Sequence, residues 1–145
     1  MNPVDEFVKD QHEGRIVRGI RVYLFVVGSV FLAFGAIYLF APEVLTDPTG
    51  FGNLKPEVFT DVRATYGGLQ LAIGLFCLWS GMRSQHHRAA LTLIVMTFGA
   101  VAGSRAIGLL IDREPTTAMI SALSFEIVMS AVSAVILSRH ARVSG

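Results

Sequence analysis

Two charged residues lie inside long apolar stretches in the C-terminal half of the chain. Arg105 is found within "GSRAIGLLID" (103–112) and Glu126 within "LSFEIVMSA" (123–131). An isolated charge near the centre of a membrane helix costs about 2.5–3.5 kcal/mol on insertion scales. A guanidinium and a carboxylate offset this cost when they form two parallel hydrogen bonds with each other. The sequence therefore predicts an ion pair between Arg105 and Glu126.

Several uses of this pair are open on sequence alone. The pair can fix the register of two helices and have no other role. It can also line an outward-opening polar pocket that binds a lipid head group or another amphiphile. A proton or ion relay is a weaker interpretation, because one carboxylate without an intramembrane histidine provides too few groups for a proton or ion to pass along. Each charge can, finally, reach the membrane surface separately, without any pairing.

Polar residues on three predicted helices lie at matching depths in the outer half of the membrane. On the second helix they follow the i, i+3, i+7 spacing that places residues on one face. With a rise of about 1.5 Å per residue, Arg105 lies about 10 Å below the outer end of its helix and Glu126 about 15 Å below the end of the next. The members of this predicted polar cluster are Arg63, Tyr66, Gln70, Arg105, Asp112 and Glu126.

Catalytic and metal-binding motifs are absent from the sequence. It has no nucleophile elbow, no glycine-rich phosphate loop and no metal-binding pair of histidines or cysteines. The single cysteine, Cys77, cannot form an internal disulfide. A net charge of +1 does not supply the basic face that a nucleic-acid-binding protein needs. We therefore expect a non-enzymatic protein without a metal, a cofactor or a nucleic-acid partner.

The elements that must position the polar residues are predicted from hydropathy. The chain has 145 residues, of which 52 % are hydrophobic and only 16 % charged, and its mean hydropathy is +0.57. Crossing a bilayer takes about 20 apolar residues. The four segments that reach this length are about 20–41, 62–82, 89–111 and 116–138. The sequence therefore predicts an all-α fold, a single integral membrane domain (1–145) built as a four-helix bundle.

The basic residues predict the orientation of this bundle. Eight of the twelve lysines and arginines flank the helices on one side, which by the positive-inside rule is the cytoplasmic side. Both termini are then cytoplasmic, and residues 42–61 form a non-cytoplasmic loop. The N-terminal segment 1–19 is predicted to be either an interfacial helix or a solvated tail.

Small residues recur at helical spacing on three of the predicted helices. Glycines repeat every seven residues on the first two, and a small-xxx-small pair lies on the third. Such residues let helix backbones approach closely inside a membrane, where lipid supplies no hydrophobic drive for association. They predict helix packing within the bundle, or equally a face for another protein. These glycines are Gly28, Gly35, Gly67, Gly74, Gly81, Gly99 and Gly103.

Two stretches carry a resemblance to a known family. "DVRATYGGLQLAIGLF" (61–76) and "GSRAIGLLIDREPTTAMISALSFEIVMSA" (103–131) resemble DUF4345, a bacterial family of small four-helix membrane proteins of unknown function. The family's turn before the fourth helix often reads Asp-Gly-x-Pro, whereas this chain has Arg113 in place of the glycine. The resemblance implies the fold, the topology and a bacterial inner membrane, but no activity. The positions that match the family's pattern are Arg63, Gly67, Gly68, Arg105, Asp112, Pro115 and Glu126.

Two functions of different class follow from these observations. The first is an accessory or scaffold subunit that docks through its glycine faces on a larger membrane protein, or that self-associates as a homo-oligomer. The alternative is a binder or carrier of a membrane lipid or small amphiphile, which would use the polar cluster in the outer half of the bundle.

Overall fold

The computed structural model is all-helical. It describes residues 3–45, 55–113 and 115–143. Four helices follow one another within these described residues. Helix α1 is Pro3–Phe40, and α2 is a continuous run made of Pro56–Val62, a π-helical turn Arg63–Gly68, and Leu69–Gly81. Helix α3 is His87–Asp112 and α4 is Thr117–Val143, with short 3₁₀ turns at Pro42–Leu45 and Ser84–His86.

Helix α1 begins much earlier than the sequence predicts. Segment 1–19 was expected to be a separate interfacial helix or a tail, but α1 runs without a break from Pro3 to Phe40. After Pro3 no proline follows before the end of the helix, and the two glycines at 14 and 19 stand singly. A single glycine costs a helix only about 1 kcal/mol, which does not end it. The charged residues before the first apolar stretch are therefore a helical extension of it.

Helix α2 also begins earlier, inside the predicted loop 42–61. Lys55 is extended (φ −68°, ψ 153°) and Pro56 occupies the first helical position. Proline is favoured there, because its ring presets φ and its missing N–H would have no partner in the first turn. The loop therefore contains the 3₁₀ turn Pro42–Leu45 and the first turns of α2. Its central residues, 46–54, lie outside the described residues.

Within the described part of the chain, three helical stretches are long and apolar enough to cross a membrane. They are Gly14–Phe40, Ser84–Asp112 and Thr117–Ala141. The predicted span at 62–82 is not among them. Its unbroken α-helical part, Leu69–Gly81, has 13 residues, fewer than the roughly 20 that a bilayer requires.

The chain divides into two compact units, which we describe separately. One is Arg18–Ser84, in which α1 and α2 form an antiparallel pair, the first hairpin. The other contains the start of α1 up to Val17 and everything from Gln85 onward, in which α3 and α4 form the second hairpin.

Glycines bring the backbones of the first hairpin into contact. A methyl group added at Gly74 would lie 2.8 Å from the carbonyl oxygen of Gly28, and one at Gly35 would lie 2.8 Å from the backbone nitrogen of Leu71. One at Gly67 would meet the backbone of Leu39 at 3.1 Å. A side chain at Gly35 or Gly74 would force the backbones apart, and one at Gly67 would require Leu39 to shift, so these glycines set how closely α1 and α2 approach.

The second hairpin is held by side chains between α3 and α4. The rings of Phe98 and Phe125 meet edge to face, with centroids 5.8 Å apart. Ser130 Oγ donates a hydrogen bond to the carbonyl of Val95 at 3.2 Å. At the turn, the Thr116 hydroxyl accepts the N–H of Met119 at 3.2 Å and so caps the start of α4. These contacts fix the register at which Arg105 faces Glu126.

Candidate functional site

The candidate site is the charge pair between α3 and α4. Arg105 Nε lies 3.0 Å from both Glu126 Oε1 and Oε2, and Arg105 Nη2 lies 2.6 Å from Oε1. The carboxylate side chain is 8 % exposed and the guanidinium side chain 33 %. The carboxylate is therefore almost enclosed, whereas the arginine side chain is only partly buried. Such multidentate contacts are among the strongest hydrogen bonds that proteins form.

The serines of α4 use their hydroxyls for main-chain contacts. Ser121, Ser124 and Ser133 each donate to the carbonyl four residues earlier, at 2.7–2.9 Å. This back-bonding satisfies a hydroxyl inside an apolar surrounding without a second helix. A serine nucleophile needs a neighbouring base, and the described carboxylate of this helix, Glu126, has both oxygens bonded to Arg105. The geometry is better suited to holding α3 and α4 together than to acid–base chemistry.

The remaining members of the predicted polar cluster have contacts of their own. Arg63 Nε donates to the carbonyl of Leu39 at 3.2 Å. Tyr66 is 45 % exposed, and its ring meets that of Tyr38 edge to face at 6.2 Å. Gln70 is half-buried on α2, and Asp112 is exposed at the end of α3. That these residues share one site with Arg105 and Glu126, and form a pocket for an amphiphile, stays a prediction.

The π-helical turn changes the face that the second helix presents. It covers Arg63–Gly68 and therefore includes Tyr66. A π turn inserts one extra residue relative to the α-helical repeat and rotates everything after it. The i, i+3, i+7 stripe was drawn with the α-helical period, so it does not hold from Arg63 through to Gln70. The adjacent glycines at 67 and 68 are the local signal, because they lower the helix propensity there.

Sequence reasoning did not predict that two arginines cap helix ends at opposite ends of the first hairpin. Arg21 on α1 donates from Nε to the carbonyl of Gly81, the last residue of α2, at 3.2 Å. Arg63 on α2 does the same for Leu39, near the end of α1. The last four carbonyls of a helix have no partner within the helix, and a cation there also meets the favourable end of the helix dipole. The signal was available, since Arg21 lies one seven-residue step before Gly28.

The predicted packing glycines fall into two groups. Those of the first hairpin lie at close backbone contacts, except Gly81, where an added methyl would meet the Phe25 ring at 3.3 Å and the carbonyl oxygen of Arg21 at 3.6 Å. On α3, a methyl at Gly99 would lie 3.5 Å from Ser130 Oγ, an ordinary contact. At Gly103 it would meet no described atom within 4 Å. Added methyl groups at the α3 glycines would therefore meet no backbone of another helix among the described residues, unlike those at Gly35, Gly67 and Gly74.

A comparison with models of protein families assigns the chain to a family. The family model for a domain of unknown function, DUF4345, matches residues 19–137. The chain belongs to the DUF4345 family. No curated protein and no solved structure matches it. Membership in DUF4345 covers both hairpins and the charge pair but brings no activity with it.

One position of this DUF4345 chain adopts a conformation that favours glycine. Arg113, which follows the end of α3, has φ 57° and ψ 21°, and its N–H bonds to the carbonyl of Leu109 at 3.2 Å. This is the left-handed conformation that commonly ends a helix, where glycine has no Cβ penalty. The turn therefore holds an arginine in a backbone conformation that glycine adopts more readily.

Replacing this arginine by glycine is expected to stabilise the second hairpin. Arg113→Gly removes the Cβ strain, and we expect a gain of about 0.5–1 kcal/mol in the free energy of unfolding. Reversible unfolding of the purified protein in detergent measures it. Arg113→Ala is the control, because it removes the side chain and keeps the strain. An equal effect of the two variants would mean that the side chain, not the backbone, is responsible.

Proposed function

We propose that this DUF4345 chain is a non-enzymatic scaffold or accessory subunit of the bacterial cytoplasmic membrane. We infer four spanning helices, with all of α2, including its π turn, as the fourth span, and both termini in the cytoplasm. Three long apolar helices support membrane insertion, and the distribution of lysine and arginine supports the orientation. The proposed role is assembly with another membrane helix through α3.

The use of the polar groups supports a structural role. Arg105 and Glu126 bond to each other, and Arg21 and Arg63 bond to helix carbonyls. Unpaired charges are costly in a membrane, so a pair of this geometry mainly offsets the cost of its own insertion. Polar groups that bond to one another or to helix carbonyls hold the helices in register.

The open small-residue face of α3 is the observation that carries the proposal. Gly99, Ala100, Gly103 and Ser104 are all exposed, and Gly103 has open space where a side chain would be. In the first hairpin of the same chain, the space beside most of the packing glycines is occupied by backbone atoms of the neighbouring helix. Small-xxx-small faces of this type support close contact between membrane helices. Since such a face can pack on its own copy about a twofold axis, we infer that a second copy of the chain occupies it.

A bulky residue at Gly103 tests this assignment. We expect Gly103→Leu to weaken self-association in bilayers at least about tenfold, because a leucine side chain holds the two backbones apart. Energy transfer between two fluorescently tagged populations, reconstituted together over a range of protein-to-lipid ratios, gives the dissociation constant. Gly108→Leu is the matched control, since it makes the same change five residues away on another side of α3. A wild-type chain that remains monomeric, or equal effects of the two variants, would overturn the proposal.

A further inference from the structure

A cluster of arginines and one tryptophan lies at the end of the first hairpin where α1 enters its apolar stretch and α2 ends. Arg21 contacts the carbonyl of Gly81, so residues that follow Gly81 lie beside the start of the apolar part of α1. Arg18 lies one turn outward from Arg21, and Arg83 lies two residues beyond Gly81. All three arginines are exposed. The antiparallel pairing thus gathers three cations at one helix end.

Trp79 holds one of these cations in place. The guanidinium carbon of Arg83 lies 5.3 Å from the centroid of the Trp79 ring. The Arg83 N–H also bonds to the carbonyl of Ser80 at 3.0 Å, which fixes the backbone from which the side chain extends. Trp79 is 37 % exposed in the last turn of α2. Tryptophan is enriched at the level of lipid head groups, where its ring is partly apolar and partly wet.

Within residues 18–84, the described charged side chains at this end of the hairpin are all basic. Among the described residues between 18 and 84, the carboxylates are Glu43, Glu57 and Asp61, and all of them lie near the opposite end, around the close of α1 and the start of α2. The bond from Arg21 to Gly81 uses one of five guanidinium N–H groups, and the planar fork of Nη donors is not needed for it. Arginine forks match the geometry of phosphate oxygens.

We propose that Arg18, Arg21, Arg83 and Trp79 form a binding site for the phosphate of an anionic phospholipid head group. Arg21 and Arg83 donate to the phosphate oxygens, Arg18 lies on the aqueous side, and the Trp79 ring packs on the upper acyl chain. The membrane supplies this ligand at the depth where the apolar part of α1 begins. The site lies on the first hairpin and does not depend on docking through α3, so either proposal can fail without the other.

The single tryptophan of the chain gives a direct readout of this site. Trp79 emission and retention of lipid in native mass spectrometry are measured in phosphatidylcholine nanodiscs with increasing phosphatidylglycerol. We expect a saturable emission change in the wild type and retained phosphatidylglycerol. Arg83→Gln should weaken both at least about tenfold, and Arg83→Lys less, because lysine keeps the charge but loses the fork. Circular dichroism checks that each variant remains folded.

Arg139→Gln is the matched control. It removes the same charge from an exposed arginine at the end of α4, on the same proposed face of the membrane, and should change lipid binding by no more than about twofold. Equal losses in Arg83→Gln and Arg139→Gln would overturn the proposal in favour of general surface charge. The absence of any wild-type response to phosphatidylglycerol would also overturn it. So would an equal response to inorganic phosphate in pure phosphatidylcholine, which would mean a free anion is the ligand.

Discussion

Replacing Glu126 by leucine is expected to lower the free energy of unfolding by about 3–5 kcal/mol, and replacing Arg105 by leucine by a similar amount. Arg105→Leu leaves the buried Glu126 carboxylate without the guanidinium, and Glu126→Leu leaves the partly buried guanidinium without this carboxylate. The two oxygens of Glu126 accept three contacts from Arg105 at 2.6–3.0 Å, so one substitution removes all of them.

The double variant should be more stable than either single one. Arg105→Leu with Glu126→Leu removes both charges and leaves two apolar side chains of similar kind facing each other. Buried ion pairs replaced in this way are often neutral in stability. The four proteins of this double-mutant cycle are compared by reversible unfolding in the same detergent. If the loss in the double variant simply equals the sum of the two single losses, the charges are not coupled.

Two further variants separate charge from packing. Glu126→Gln should be milder than Glu126→Leu, since the amide oxygen still accepts one hydrogen bond from Arg105. Ser124→Leu, two residues earlier on the exposed side of α4, controls for the insertion of a leucine and should cost within about 0.5 kcal/mol. A loss at Ser124 as large as that at Glu126 would point to a general sensitivity of α4.

Charge and depth lead to the pair of Arg105 and Glu126 from sequence alone. Their helices are consecutive and joined by a short turn, so antiparallel packing follows. Similar depths from that turn, about 10 and 15 Å, bring the two long side chains within reach of each other. The α3–α4 arrangement therefore needs no information from distant parts of the chain. The glycine repeats of α1 and α2 also predict a close contact from sequence alone. Residues seven apart lie on the same face of a helix, so the glycines of each helix form one stripe.

Other features depend on tertiary context that local patterns do not contain. The π turn at Arg63–Gly68 shifts the face of α2 by one residue, and a stripe drawn with a constant period cannot follow it. The roles of Arg21 and Arg63 as caps depend on which helix end lies beside each of them. Sequence shows an arginine near a membrane boundary, and this is equally consistent with snorkelling to the surface. Whether such an arginine caps a helix or extends to the membrane surface depends on where the backbone of the partner helix ends.

Alanine at Gly74 is expected to destabilise the first hairpin by about 2–3 kcal/mol. The added methyl would lie 2.8 Å from the carbonyl oxygen of Gly28 and 2.9 Å from the backbone nitrogen of Leu32. Backbone atoms cannot move aside as the end of a side chain can, so α1 and α2 must separate and lose contacts along the seam. Overpacking of this kind costs about 1–3 kcal/mol, and a clash with main chain on the partner helix belongs in the upper part of that range.

The same substitution at Gly103 should have the opposite sign. No described atom lies within 4 Å of the added methyl there, and alanine is about 1 kcal/mol better than glycine within a helix. Gly81→Ala should fall between the two, because the nearest atoms to the methyl, at 3.3 Å, belong to the Phe25 ring, which can shift, while the carbonyl oxygen of Arg21 lies at an ordinary 3.6 Å. Unfolding of the three variants in monomer-forming detergent tests this order. Equal shifts at Gly74 and Gly103 would mean that helix propensity, rather than the approach of two backbones, decides what these glycines contribute.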